Sequence, residues 1–126
     1  MSASCLNLNN FNHSFIKRLQ LMKIDISSLP TKEIIKGFHG RFVHTENLSI
    51  GFWEIEKDAI LPMHSHIHEQ TTQVIEGEFE LVVGEETFHC LPGSICVIPS
   101  NIPHGGRALT NCKIMDTFSP VREDYK

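Results

Sequence analysis

The sequence predicts an all-β protein, a sandwich or barrel, on three observations. From about Gly37 onward short apolar stretches recur at close spacing, Gly and Pro stand between them, and the 3.6-residue periodicity of amphipathic helices is missing. Many short strands with Gly/Pro punctuation are the pattern of sandwiches and barrels.

Taken in order, residues 1–22 are Asn- and Ser-rich without strong periodicity and read as an N-terminal extension, with a short amphipathic helix over Phe15–Leu21. Residues 23–126 read as one domain, opened by the more regular Lys23-Ile24-Asp25-Ile26. Ile50–Ile55 has the β-branched and aromatic content of a strand. Thr72–Ile75 leads into Glu76-Gly77, a tight-turn pair, and Phe79–Val83 follows. Gly84-Glu85-Glu86 turns the chain into Thr87–Cys90, and Leu91-Pro92-Gly93-Ser94 turns it again into Ile95–Ile98. A loop with Pro99 and Pro103 precedes His104–Leu109, and Lys113–Phe118 ends the domain before Pro120.

Composition narrows the function. The 126 residues suffice for a core without staples, since a domain this size buries roughly two-thirds of its unfolded surface. Net charge is −4, and Lys57 is the single Lys or Arg between Arg41 and Arg107. A phosphate-tracking groove needs clustered cations, so no nucleic-acid partner is expected. No apolar run approaches the ~20 residues of a membrane helix, so no membrane partner is expected either. Cys5, Cys90, Cys96 and Cys112 form no CxxC pair. The first 25 residues hold no continuous apolar segment of a signal peptide, so a cytoplasmic protein with reduced thiols is expected. Cys90 and Cys96 read as small core residues.

Eight histidines are many for this length, and three lie in His64-Ser65-His66-Ile67-His68. In an extended segment residues i and i+2 share a face, so His64 and His66 project together and Gln70 keeps their parity. Polar side chains on an inward face are costly unless paired or ligated. Taken alone, the triplet is as much the mark of a solvated surface stretch as of a metal site. His13, His39, His44 and His89 have no evident partner and read as structural or solvated.

Two longer stretches change that balance. Pro62–Gly77 and Gly93–His104 resemble the two motifs of the cupin superfamily, G-x5-H-x-H-x3-4-E-x6-G and G-x5-P-x-G-x2-H-x3-N. His64, His66 and Gly77 match the first, with Asp58 at the usual Gly and Gln70 at the Glu. Gly93, Pro99 and His104 match the second, with Asn101 in place of Gly and Ala108 in place of Asn. The resemblance covers about residues 50–118 and implies a double-stranded β-helix, the cupin or jelly-roll barrel, of six to eight strands. It also implies one divalent metal ion (nickel, zinc, iron or manganese) held inside by His64, His66, Gln70 and His104. Glu69 is the rival third ligand, and His68 is expected on the rim. Three neutral imidazoles and an amide leave the ion's double charge uncompensated, which strengthens its Lewis acidity.

The run Asp116-Thr117-Phe118-Ser119-Pro120-Val121-Arg122-Glu123-Asp124-Tyr125 resembles the terminal signature of the small KdgF-type cupins, as does Gln at the third ligand position. That resemblance implies Asp116, Phe118 and Arg122 as catalytic residues. The implied reaction converts a 4,5-unsaturated monouronate, released by pectin or alginate lyases, into an open-chain keto-uronate. The expected partner is therefore a small anionic sugar, and small cupins are commonly homodimers. Arg122 offers a planar fork for the uronate carboxylate, with Arg107 as the other candidate. Asp116 suits general acid/base work. Two further readings stay open: an iron-dependent cupin dioxygenase, and a non-catalytic sugar- or metal-binding cupin.

Overall fold

Turns come first, because they decide which strands meet. In the computed structural model, which describes residues 22–126, Gly77 has φ of 85° between two strands. A Cβ there would collide with the Asn111 carbonyl oxygen and sit 2.8 Å from Thr110 Oγ1, so glycine alone fits this close turn. Asp58 and Asn101 also adopt left-handed backbone, at φ of 69° and 65°.

Ten strands result among the described residues: β1 (Lys32–Ile35), β2 (Phe38–His44), β3 (Ser49–Ile55), β4 (Ile60–His64), β5 (Glu69–Glu76), β6 (Phe79–Val83), β7 (Glu86–Cys90), β8 (Ile95–Ile98), β9 (His104–Ala108) and β10 (Cys112–Ser119). Short 3-10 turns at Ile26–Ser28 and Glu123–Tyr125 flank them. The strands form a six-stranded sheet in the order β1-β2-β3-β10-β5-β8 and a four-stranded sheet in the order β4-β9-β6-β7. All pairs are antiparallel. This is the expected all-β jelly-roll architecture, with ten strands where six to eight were expected. No helix among the described residues is long and apolar enough to cross a membrane. The helix expected over Phe15–Leu21 lies outside the described residues, as does nearly all of the expected extension 1–22.

Alternation along the strands builds the core. On β10, Cys112, Ile114, Asp116 and Phe118 are buried, and on β5 Gln70, Thr72 and Val74 are. Register lines these up in rows across the sheet. One row runs Val74–Ile114–Trp53, the next Cys96–Thr72–Asp116–Gly51, and the next Ile98–Gln70–Phe118–Ser49. The barrel therefore has an apolar end and a polar end. At the apolar end Phe38 and Trp53 of one sheet meet Phe79 and Leu81 of the other. Phe38 packs edge-on to Phe79, with ring centroids 6.4 Å apart, and burying each such side chain contributes about 1.5–3 kcal/mol.

The polar end is closed by the C-terminal segment. Past the cis Ser119–Pro120 bond the chain returns to the barrel, where the Arg122 backbone N–H donates to Ser49 Oγ at 2.8 Å. Tyr125 then packs against Phe42, Trp53 and Phe118.

Candidate metal centre and its cavity

Three segments deliver the imidazoles. His64 ends β4, His104 opens β9 directly opposite it in register, and His66 stands in the bend before β5. His66 thus reaches the site through a bend rather than through the strand parity expected for His64–His66. Ring centroids are separated by 4.3 Å for His64–His104, 4.8 Å for His66–His104 and 5.7 Å for His64–His66. Their ligating nitrogens all lie within 4.8 Å of one another.

Backbone carbonyls fix how each ring faces. Nδ1 of His64, His66 and His104 donates to the carbonyl oxygens of Pro62 (2.7 Å), His68 (3.1 Å) and Ile102 (2.9 Å). A carbonyl accepts only, so the proton sits on Nδ1 and each Nε2 presents a lone pair to the interior. Nε2 of His104 is buried with no hydrogen-bond partner among the described residues.

Gln70, the first buried residue of β5, completes the set. Its Oε1 lies 3.0 Å from His66 Nε2. Its Nε2 donates to Thr72 Oγ1 at 2.9 Å, and Thr72 Oγ1 donates to Asp116 Oδ1 at 2.7 Å. An ionised Asp116 accepts only, so Thr72 gives its proton there, takes one from Gln70 and leaves Oε1 facing the imidazoles. Oε1 and His66 Nε2 are then two acceptors in contact. Protonating His66 would relieve this, but burial and the Arg122 cation lower its pKa to about 4. A cation among the four atoms satisfies the lone pairs and the orphaned His104 nitrogen together. The donor set fits a divalent metal ion.

Asp116 is 9% exposed. Burial raises its pKa to about 6 against the hydrogen bonds from Thr72 and from Trp53, whose Nε1 donates to Oδ2 at 2.9 Å. Arg122, 6% exposed, stacks its guanidinium 4.0 Å from the Tyr125 ring centroid and 4.7 Å from that of Phe118. Its Nε and one Nη donate to the two oxygens of Asp124 at 2.9 and 2.8 Å. A guanidinium has five N–H donors, and Asp124 takes two of them. Hydrogen bonding from Arg122 holds the Asp124 carboxyl below its ordinary range.

A cavity of about 250 Å³ brings these groups together. His64, Gln70, Asp116, Phe118, Arg122 and Tyr125 line one side, and the apolar end of the barrel lines the rest. Other candidates fall away. Arg107 points outward and pairs with Glu80 at 3.4 Å, and Glu69 is exposed at the start of β5. His68 sits at the rim, where its Nε2 donates to the Val121 carbonyl at 3.2 Å. His39 lies 3.8 Å from Glu56, His44 and His89 hydrogen-bond to Ser49 and Glu78, and His13 lies outside the described residues. Thr72, Trp53, Asp124 and Tyr125 are site residues that the sequence reading missed. Thr72 shares the parity of Gln70, but the partners of the others are set only by the fold.

Comparison with known proteins places the chain. The Cupin domain family profile matches residues 51–118, more than half of its length, so the protein belongs to the cupin family. It is similar to the structure of KdgF from Halomonas sp., at 25% identity and a TM-score of 0.80, covering 85% of this chain and 100% of that one. An RmlC-like cupin from Shewanella frigidimarina gives the same TM-score at 26% identity, with 85% and 97% covered. An uncharacterised protein from Streptomyces coelicolor is 22% identical over 85 residues, 67% of this chain and 81% of that protein. Oxalate decarboxylase from Bacillus subtilis shares the fold, at 23% identity and a TM-score of 0.70, with 30% of its chain covered.

Proposed function

We propose that this cupin is a metal-dependent enzyme that opens 4,5-unsaturated monouronates to keto-uronates. The observation that carries the reading is one cavity lined by His64 and Gln70 of the donor set together with a buried carboxylate, Asp116, and a buried guanidinium, Arg122. The likeness to KdgF from Halomonas supports it. His64, His66, Gln70 and His104 would hold a nickel, zinc, iron or manganese ion, which supplies Lewis acidity toward a ligand oxygen.

The chain's own residues supply the remainder. Arg122 takes the uronate carboxylate on N–H donors that Asp124 does not use, and Phe118 packs against the sugar face and keeps bulk water away. Asp116, with its pKa raised toward neutrality, removes the proton of the anomeric hydroxyl as the C1–O5 bond breaks. The ring oxygen leaves as the enol at C5, and the proton returned to C4 completes the ketone. Atoms and electrons balance, and neither oxidant nor water is consumed.

Loss of the ultraviolet absorbance of the conjugated double bond tests the reading, with unsaturated galacturonate and mannuronate each presented to metal-loaded protein. Accelerated loss is expected, and decay no faster than in a protein-free control overturns it. Saturable binding without turnover would instead indicate a binding protein, and oxygen uptake an oxygenase. Arg122→Lys keeps the charge but loses the fork. It is expected to slow turnover by about tenfold or more, since a hydrogen bond to a charged group is worth about 1.5–3 kcal/mol. The unfolding midpoint of the variant separates this from loss of fold.

A further inference from the structure

Cys90 closes β7 and Cys96 lies in β8, and the Leu91-Pro92-Gly93-Ser94 turn brings them back together. Their Sγ atoms are 3.3 Å apart. A disulfide needs about 2.05 Å, so about 1.3 Å of approach would join them. The turn is tied to β5, where Gly93 N–H donates to the Val74 carbonyl and Val74 N–H to the Ser94 carbonyl at 3.3 Å each, so the approach has to come mainly from side-chain rotation. Cys112 is the internal contrast. Its thiol is satisfied by the carbonyls of Glu78 (3.1 Å) and Thr110 (3.2 Å) in the manner of an ordinary buried cysteine.

The pair is also connected to the metal centre. Cys96 pairs in register with Thr72, and Thr72 pairs with Asp116. Thr72 is the hydroxyl that orients Gln70 and donates to Asp116. The sulfur of Cys96 therefore stands one strand away from the hydrogen-bond relay that aims Oε1 at the imidazoles.

We propose that Cys90 and Cys96 are a redox-modification site, forming a reversible intrachain disulfide that strains the Cys96–Thr72–Asp116 row and so perturbs the metal centre. Cys96 is half-buried and Cys90 buried. The more accessible Cys96 therefore meets the oxidant first, and Cys90, whose Sγ is 3.3 Å away, resolves the adduct. With diamide, a thiol-selective diazene, the Cys96 sulfur adds across N=N. The Cys90 sulfur then attacks it, the S–S bond forms and the S–N bond breaks. The two thiol protons end on the hydrazine, which is the reduced product. The inference does not depend on which substrate the cavity takes.

The test uses the full chain carrying Cys5→Ser and Cys112→Ser, folded, with diamide. Expected are loss of both remaining thiols together, a monomer lighter by two hydrogens, a Cys90–Cys96 cross-linked peptide, and full reversal by dithiothreitol. With Cys90→Ser or Cys90→Ala, Cys96 is expected to be captured singly by glutathione. Persistence of both thiols, or linkage only between chains, overturns the site. Trp53 is the sole tryptophan and donates to Asp116, so its emission reads the row. Oxidation is expected to shift that emission, with no shift in Cys96→Ser; an unchanged spectrum in the cross-linked protein overturns the coupling to the metal centre.

Discussion

At the scale of single residues, Asp116 shows how the site costs stability. Its folded pKa of about 6 exceeds the ordinary 3.8, so within that interval the folded chain keeps a proton that the unfolded chain has lost. Stability therefore falls as pH rises from 3.8 to about 6, and the penalty is complete above it. A shift of this size corresponds to about 3 kcal/mol. Asp116→Asn removes the titration while keeping an oxygen for Trp53 or Thr72. In chelator-treated protein, urea unfolding is expected to show wild type losing stability across that window relative to the variant. The lowered His66 and His104 act in the opposite sense but are common to both proteins. Parallel curves would refute the assignment. Other single residues were legible for a local reason. Asp58 and Asn101 replace motif glycines, and both adopt the left-handed backbone those glycines imply, as Asp and Asn tolerate. The partners of Asp116 were not legible, because Thr72 and Trp53 lie 44 and 63 residues away.

At the scale of elements, what the sequence hid were the strands with the weakest alternation. β1 is an edge strand with three of its four residues exposed, so no buried face marks it. β2 mixes His39 and Arg41 with Phe38 and Phe42, and those two polar side chains face Glu56 and Glu54 rather than the core. β4 has three exposed residues, including Pro62 and Met63, and ends where His64 enters the site. β6 and β8, by contrast, have the bounds expected from their apolar content and flanking turns. β9 carries the clearest structural demand. It runs between β4 and β6, and a Cβ on Gly106 would collide with the Glu80 carbonyl oxygen and lie 2.7 Å from Phe79 Cε1. Gly106→Ala must push β9 off β6 or displace Phe79 from the core, and such overpacking costs about 1–3 kcal/mol. A lower unfolding midpoint is expected, together with reduced metal retention because His104 opens the same strand. Unchanged stability and metal content would show that β9 yields without moving His104.

For the whole molecule, the donor set lies where the two sheets meet. His64 and His104 belong to the four-stranded sheet, Gln70 to the six-stranded one, and His66 to the bend between them. A metal bound there would join the halves of the barrel at its polar end, where Asp116 and Arg122 are buried instead of apolar side chains. Binding stabilises a fold only by as much as the folded chain outcompetes the unfolded one for the ligand. His64, His66 and Gln70 are close in sequence and would remain available to metal after unfolding, whereas His104 joins them only in the folded state. The unfolding midpoint is therefore expected to rise with metal concentration, by the equivalent of about 2.7 kcal/mol at a hundredfold excess over Kd. A chelator should reverse the rise, and His104→Ala should abolish most of it while leaving weak binding to the local His64–His66 pair. If His104→Ala is stabilised as much as wild type, the ion is held by that pair alone, and the two sheets do not share a metal centre.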